Sequence, residues 1–292
     1  MKSLTEDHRM VKKIQSKKRK RISFGQIVVW TSALLTVGIA LAIVGIIFWK
    51  GIPYLTPSLF AWTYTSDNVS LMPALVNTLL MLVVSLSIAL PVGVAGSVYL
   101  VEYAAPGNRF VHLVNLMVDT LAGIPSIVYG LFGALFFVQF FGMGLSLLAG
   151  ALTLSIMVLP TIMKTTQEAL REVPALYREG SYGLGAGKLR TITKIVLPAA
   201  LPGILSGAIL AAGRVFGESA ALIFTAGTLA QVAGSVTDSA RTMAVHLYAL
   251  SQEGLFLNET YASAAVLIVV VLLMNGLASW LAKKAERRRE HG

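Results

Sequence analysis

The sequence is dominated by apolar runs long enough to cross a lipid bilayer. Several runs of about 20 residues recur along the chain of 292 residues, and a helix of about 20 residues crosses a hydrocarbon core of ~30 Å. Hydrophobic residues make up 55 % of the chain and charged residues only 13 %, whereas a soluble domain carries about twice that charged share. The composition therefore predicts an all-α integral membrane protein that crosses the bilayer several times.

Six transmembrane helices are predicted from these runs, at about residues 26–48, 72–101, 112–141, 144–163, 199–224 and 260–282. The first run is too long for a signal-peptide core and no small-residue cleavage site follows it, so it is interpreted as a retained helix. The third contains Pro125 and three glycines within DTLAGIPSIVYGLFG, residues 119–133. A proline removes a helical hydrogen bond, so a break is predicted there, either as a packing kink or as the lining of a path.

The net charge of +10 is distributed in a way that indicates topology. Of the 24 lysines and arginines, 21 lie in residues 1–25, 102–111, 164–198 and 283–292. Cytosolic loops carry such an excess, so these segments, both termini included, are predicted to face the cytosol. The positive charge is interpreted as a signal that orients the chain in the membrane and as a contact with anionic lipid. No nucleic-acid partner is predicted. The chain has no cysteine, which excludes disulfides and thiol chemistry.

Two charges lie inside the fifth apolar run. The stretch GRVFGESAALIFTAG, residues 213–227, contains Arg214 and Glu218, and charges within a membrane are costly and usually functional. They are predicted to lie one turn apart on one helix face. Two interpretations remain open: a self-neutralising pair that locks helix packing, or an arginine that faces a water-filled path for an anion. A guanidinium suits an oxyanion because its planar fork matches the oxygens.

Other polar residues in the apolar runs carry weaker predictions. Ser219 and Ser126 are assigned with Arg214 and Glu218 to the path. Further side chains either line it or bond between helices; they are Asn77, Tyr129 and Gln139. Asp119 is expected to cap a helix or form an ion pair, and His112 and His246 are expected to be structural. Glycines spaced four apart predict close helix contacts, at Gly203/Gly207 and Gly213/Gly217.

The segment 164–198 is predicted to be a helical loop that docks a cytosolic partner. QEALREV favours a helix, Pro174 interrupts it, and ALYREGSYGLG favours a second short helix closed by glycines. GLGAGK, residues 183–188, is not a nucleotide-binding P-loop, because Tyr182 and Leu189 occupy the required Gly and Ser/Thr positions. The chain is therefore predicted not to bind ATP itself.

Three classes of function are compatible with a polytopic chain of this kind. An intramembrane enzyme would carry paired acids or motifs such as H-E-x-x-H or G-x-S-x-G, and none occurs in the sequence. An ATP-independent anion carrier fits Arg214 but leaves the helical loop unexplained. A permease driven by a separate ATPase explains the helices, the loop and the missing nucleotide site together.

The loop resembles the cytosolic signature of permease subunits of bacterial ABC importers. In that signature Glu-Ala-Ala, three residues, Gly, nine residues and Ile-x-Leu-Pro follow one another. The chain has Glu179-Gly180-Ser181, Gly185 and Ile195-Val196-Leu197-Pro198 at those spacings, with Gly180 and Ser181 in place of alanines. The resemblance implies a type I importer permease (MetI-like) fold, in which this loop forms a coupling helix held by the ATP-binding subunit.

Further stretches are similar to the A-type permease subunits of Pst phosphate importers. They are VEYAAPGNR at 101–109, DTLAGIPSIVYGLFG at 119–133, MVLPTIMKTTQEALREVP at 157–174 and GRVFGESAALIFTAG at 213–227. The resemblance implies a basic arm 1–25, an ABC transmembrane domain 26–282 with its core at about 72–282 and its coupling loop at 164–198, and a basic tail 283–292. It implies that Arg214 contacts phosphate in transit while Glu218 tunes the binding.

The same resemblance implies an assembly in a bacterial plasma (inner) membrane. Its members would be a C-type sister permease that forms a heterodimer with this chain, two ATP-binding subunits and an extracytoplasmic phosphate-binding protein. ATP and Mg²⁺ would be bound by the partner subunits, and this chain would bind no cofactor or metal. Sulfate, molybdate and phosphonate permeases share the loop signature, so these oxyanions remain alternatives to inorganic phosphate.

Overall fold

The computed structural model describes residues 24–105 and 107–290, so the predicted basic arm 1–25 lies almost entirely outside the described residues. The chain divides into two units, Met1–Trp49 and Lys50–Gly292. The first unit holds most of helix α1, Phe24–Gly51. Its side chains are exposed almost throughout, as the predicted first transmembrane helix requires of a surface that faces lipid or another protein.

The second unit is centred on three helices that pack against one another, and all further elements described below belong to it. They are α2 at Met72–Val98, α5 at Leu147–Glu172 and α8 at Leu197–Phe216. α5 lies between α2 and α8 and is the most deeply buried of the long helices. The core between them is apolar and includes Met81, Leu154, Met157, Val158, Ile162 and Phe216.

The remaining elements extend these three helices, connect them or pack against them. Two short 3-10 turns, Ile52–Tyr54 and Pro57–Phe60, precede α2. A π-helical turn at Tyr99–Tyr103 extends α2, and another at Ile192–Val196 leads into α8. The other helices are α3 at Arg109–Ala122, α4 at Ser126–Gly133, α6 at Ala175–Gly183, α7 at Lys188–Thr191, α9 at Ala220–Thr225, α10 at Met243–Glu253 and α11 at Leu257–Glu290.

The predicted third transmembrane helix is a bent pair. α3 and α4, the latter continued by a π-helical stretch Ala134–Phe140, meet at an angle of 104°. Each half has about 15 residues and is therefore ~22 Å long, too short to cross the bilayer alone. The predicted break is confirmed, and it divides the predicted run 112–141 into two helices. Within the described ranges five helices are long and apolar enough to cross, and the pair makes a sixth if it counts as one crossing.

Two other helix ends differ from the sequence-based predictions. The predicted helix 144–163 continues to Glu172, because QEALRE favours a helix and no proline follows until Pro174. At 26 residues α5 is ~39 Å long and projects beyond a hydrocarbon core of ~30 Å. The predicted helix 199–224 ends at Phe216, and a separate short helix, α9, follows. α8 therefore ends two residues after Arg214.

Glycines allow close contact at the first of the two predicted pairs. A Cβ on Gly203 would collide with the Ala169 methyl, and one on Gly207 would collide with Thr165, both on α5. The contact between α5 and α8 therefore requires glycine at both positions. Around Gly213 and Gly217 the nearest atoms to an added Cβ are 3.9 Å away, so the predicted close packing at that second pair is wrong.

Candidate functional site

The break between α8 and α9 determines where Glu218 points. α8 ends at Phe216, and the Glu218 side chain accepts a hydrogen bond from the Ala221 backbone N–H at 3.1 Å. Glu218 is 8 % exposed and so caps the first turn of α9, a position that favours a carboxylate. The expected ion pair with Arg214 is not formed. In the described ranges the ion pairs join Lys164 to Asp119 and Arg178 to Glu102.

Arg214 is left half-buried and without an acidic partner in the described part of the chain. Its guanidinium interacts electrostatically with Tyr129 of α4. The Tyr129 hydroxyl itself donates to the Leu121 carbonyl at 2.8 Å and thereby ties the two halves of the bent pair together. An arginine in this position retains donors for an anion, because no carboxylate neutralises it.

The four predicted path residues lie at the start of α4, near the end of α8 and in the turn between α8 and α9. Gly130 of α4 packs on α9, where an added Cβ would lie 2.7 Å from the Ala221 Cα. Ser126 is the first residue of α4, and Ser219 directly precedes α9. Both serines are half-buried. Ser126 therefore lies on the helix that contacts α9, and Arg214, Glu218 and Ser219 lie at the break before α9.

Asn77 is a structural residue. Its side chain is fully buried and makes three hydrogen bonds to the loop that follows α9. The amide donates to the Gln231 carbonyl at 2.8 Å and the Arg241 carbonyl at 3.2 Å, and it accepts from the Ala233 N–H at 3.0 Å. Of the two interpretations, bonding between elements is the one that the structure supports.

The other polar residues divide by exposure. Asp119 forms the expected ion pair, with Lys164 at 2.6 Å. Gln139 and His112 are exposed, whereas His246 is 1 % exposed and its ring lies edge-on to Tyr64 at 6.0 Å. Burial, and then the charge of Arg241, lower the pKa of His246 to about 3. His246 is therefore neutral at ordinary pH, in keeping with the structural role expected for it.

The predicted docking loop has the expected two-helix form. α5 ends at Glu172, Pro174 precedes α6, and Gly185 adopts a φ of +79°, a left-handed conformation that glycine adopts without strain. Ser181 is buried and hydrogen-bonds the Thr191 hydroxyl at 2.8 Å, which closes α6 onto α7.

The remaining residues of the loop signature lie next to a group of exposed leucines. Glu179, Gly180 and Gly185 are exposed, while Ile195, Leu197 and Pro198 are half-buried where the chain enters α8. Beside them Leu176, Leu184 and Leu189 are 74 %, 90 % and 67 % exposed. Exposed apolar surface of this kind marks a protein contact. A groove of about 670 Å³ between α6 and the start of α8 continues this face.

One ion pair at this end was missed from the sequence. The Arg178 guanidinium donates to both carboxylate oxygens of Glu102, at 2.6 to 3.3 Å, and to the carbonyls of Val173 and Leu170. The pair joins α6 to the π-helical end of α2. Glu102 had been assigned to a short loop, and 76 residues separate the two charges, so no local spacing could reveal their contact.

Comparison with known proteins agrees with this arrangement. Residues 93–291 match the family described as "Binding-protein-dependent transport system inner membrane component". The chain is 37 % identical over 223 residues to the probable ABC transporter permease protein YqgI of Bacillus subtilis (strain 168), covering 71 % of this chain and 76 % of that protein. It is 35 % identical over 219 residues to the phosphate transport system permease protein PstA 1 of Mycobacterium tuberculosis (strain H37Rv), covering 74 % and 70 %.

Solved structures share the fold at low sequence identity. A subunit of a bacterial ABC transporter that imports alginate superposes with a TM-score of 0.64 at 16 % identity, over 94 % of this chain and 99 % of that one. A chain of the MetNI methionine ABC transporter, in inward-facing conformation, gives 0.58 at 22 % identity, over 73 % and 93 %. The MetI-like fold predicted from the loop signature is confirmed.

Proposed function

This chain belongs to the family of binding-protein-dependent transport system inner membrane components, and we propose that it is the permease subunit of an ABC importer that moves inorganic phosphate into the cytosol. The observation that supports phosphate as the substrate is Arg214. Its guanidinium is half-buried near the end of α8 and has no acidic partner among the described residues. Relatives named as phosphate permeases at 32–42 % identity support the same substrate.

The chain acts in transport while ATP hydrolysis occurs on other subunits. The exposed leucines around Glu179 and Gly185 fit the surface of an ATP-binding subunit, which would hold ATP and Mg²⁺. Arg178 links that surface to α2 through Glu102, so movement of the docked ATPase reaches the transmembrane helices directly. This chain itself needs no cofactor for that role.

The assembly contains a C-type sister permease, two ATP-binding subunits and an extracytoplasmic phosphate-binding protein. A solved alginate ABC transporter, which includes a chain of the same fold, was captured with a periplasmic protein, and this supports the last of these partners. The chain lies in the bacterial plasma membrane with both termini in the cytosol. The charge asymmetry of its loops supports that orientation.

Alternating access follows from these parts. ATP binding closes the two ATPase subunits and moves the coupling loops, and the path then opens toward the binding protein. Phosphate contacts Arg214, and Glu218 influences that contact from the cap of α9, without a direct ion pair. Arg214 forms no ion pair with a carboxylate of the described residues and so remains available, and a single arginine holds an oxyanion weakly enough for release.

Phosphate uptake by variants of Arg214 tests the proposal. Arg214→Gln should lower labelled-phosphate uptake at least tenfold, because a charge-assisted pair is lost, while Arg214→Lys keeps the charge and retains part of the rate. Co-purification with the ATPase subunits and their ATP hydrolysis serve as the assembly control. Full uptake by an assembled Arg214→Gln importer would contradict the role of Arg214. Competition by sulfate but not by arsenate would contradict phosphate as the substrate.

A further inference from the structure

At the end of α2 opposite the docking loop, the arginine Arg241 is almost completely buried. It directly precedes Thr242 and α10 and is 5 % exposed. Its backbone is fixed, since the Arg241 carbonyl accepts a hydrogen bond from the Asn77 amide of α2. The chain thus holds this residue in a defined place beneath the surface.

The Arg241 guanidinium has no hydrogen-bond acceptor or acidic partner among the described residues. Its contact is with the face of the Tyr64 ring, 5.6 Å from the ring centre, and its Nε is buried without a partner. Removing a charge from water without a counter-charge costs several kcal/mol, and a cation–π contact returns only part of this. A retained arginine of this kind indicates an anion that is supplied from outside the chain.

Arg241 lines a cleft that is large enough to admit such an anion. The cleft has a volume of about 780 Å³, within the usual range for small-ligand sites. Its walls provide further hydrogen-bonding groups, on Tyr64, Thr228, Gln231 and Tyr248. The acidic residue of the lining is Glu253, which is exposed at the end of α10 and forms no ion pair with Arg241.

The cleft also adjoins α9, the short helix that follows α8 and its Arg214. Ile223 of α9 is part of its wall, and α9 begins at the Glu218 cap. α9 has six residues and is ~9 Å long. α9 thus joins the wall of the cleft to the turn that follows the end of α8, two residues beyond Arg214.

We propose that Arg241 forms a second oxyanion site, which receives inorganic phosphate at the extracytoplasmic mouth before the anion reaches Arg214. The proposal rests on the proposed function for the identity of the anion and for the orientation of the chain. A small oxyanion fits better than a carboxylate of the binding protein, because a protein side chain would have to reach a guanidinium that is only 5 % exposed. The planar fork of arginine then holds two oxygens of the anion.

The test is phosphate binding by the purified importer in nanodiscs, without the binding protein, measured by equilibrium dialysis with labelled inorganic phosphate. Arg241→Gln should remove one saturable site per complex or weaken it at least tenfold, since a charge-assisted pair is lost. Glu253→Gln should tighten the same site a few-fold, because a negative charge leaves its rim. Lys50→Gln, which removes a cation that stacks on Tyr261 outside the cleft, should leave binding unchanged.

Several outcomes would overturn the outer site. One is unchanged phosphate binding in both Arg241→Gln and Glu253→Gln, and another is an equal loss of binding in Lys50→Gln. A third is that Arg241→Gln binds phosphate normally but associates more weakly with the binding protein, which would make a protein carboxylate the occupant. If Arg241→Gln fails to assemble, Arg241→Lys and Glu253→Gln decide the question by the same measurement. Phosphate uptake is also measured with the unaltered importer and without this chain. If uptake requires the chain but phosphate binding does not change in Arg241→Gln, the outer site is refuted and the proposed function is not.

Discussion

Two arginines at opposite ends of α2 are both largely withdrawn from solvent, and their surroundings differ. Arg178 donates to both oxygens of Glu102 and to two backbone carbonyls, whereas the Arg241 guanidinium stacks on the Tyr64 ring and forms no ion pair among the described residues. Asn77, which holds the Arg241 backbone, and Glu102 are 25 residues apart along the helix, roughly 37 Å. In the described part of the chain Arg178 is therefore paired within the protein, whereas Arg241 is not.

This difference separates a structural charge from one that is available to a ligand. A buried ion pair with complete hydrogen bonding holds elements in register but has little capacity left for another partner. An unpaired arginine keeps its N–H donors available for a ligand but lowers the free energy of unfolding. This combination is expected at functional sites.

The largest effect is expected from breaking the Arg178 pair. Arg178→Gln should destabilise the importer by about 3 kcal/mol, because it leaves the Glu102 carboxylate, 6 % exposed, without its partner. Glu102→Gln should cost less, because the Arg178 side chain is 20 % exposed and keeps two carbonyl acceptors. The double variant should cost clearly less than the sum of the two. Denaturant unfolding of the purified complex measures these values, and ATP-driven uptake should fall along with them. Additive single effects would show that the pair is not a unit.

A smaller effect is expected at the opposite end, from His246. Its pKa is lowered to about 3, chiefly by burial and then by the charge of Arg241, whereas an unfolded histidine takes up a proton near pH 6.5. Between these values the unfolded state binds more protons, so the free energy of unfolding falls as the pH drops. From pH 7.5 to 5 the loss from this residue should be about 2 kcal/mol.

The pH dependence of unfolding in variants isolates this contribution. His246→Phe should flatten the curve between pH 7.5 and 5, while His112→Phe, which changes an exposed histidine, should leave it as in the unaltered chain. An unchanged slope in His246→Phe would show that His246 takes up its proton in the folded protein.

The smallest effect is expected from the exposed ion pair at the docking end. Asp119 and Lys164 lie 2.6 Å apart, but their side chains are 62 % and 43 % exposed. Exposed pairs contribute about 0–1 kcal/mol, so Asp119→Asn should change the unfolding free energy by less than about 1 kcal/mol. A loss as large as that of Arg178→Gln would show that exposure does not distinguish the two pairs. The free energy of unfolding is measured at low and high salt. Salt screens the exposed pair, so the difference between Asp119→Asn and the unaltered chain should disappear at high salt.

Local sequence patterns were sufficient for the helices and the docking loop. The apolar runs, Pro174 and the signature spacing predicted helices, a two-helix loop and a MetI-like fold, because these features depend on residues close together in the chain. The same reasoning failed at α3 and α4, where Pro125 indicated a break but not a bend of 104°. It failed again after Arg214, where a continuous helix was expected and the chain breaks at Gly217.

The sequence by itself determined which residues are apolar enough for a membrane and that Arg214 lies within an apolar run. Hydrophobicity and helix propensity are properties of short segments, so they can be read locally. Only the tertiary structure decided which charges are paired, because Arg178 meets a glutamate 76 residues away while Glu218 turns from Arg214 to the backbone of α9. It also placed Arg241 beneath the cleft without a counter-charge among the described residues, since its surroundings include Tyr64 and Asn77, which are distant in the sequence.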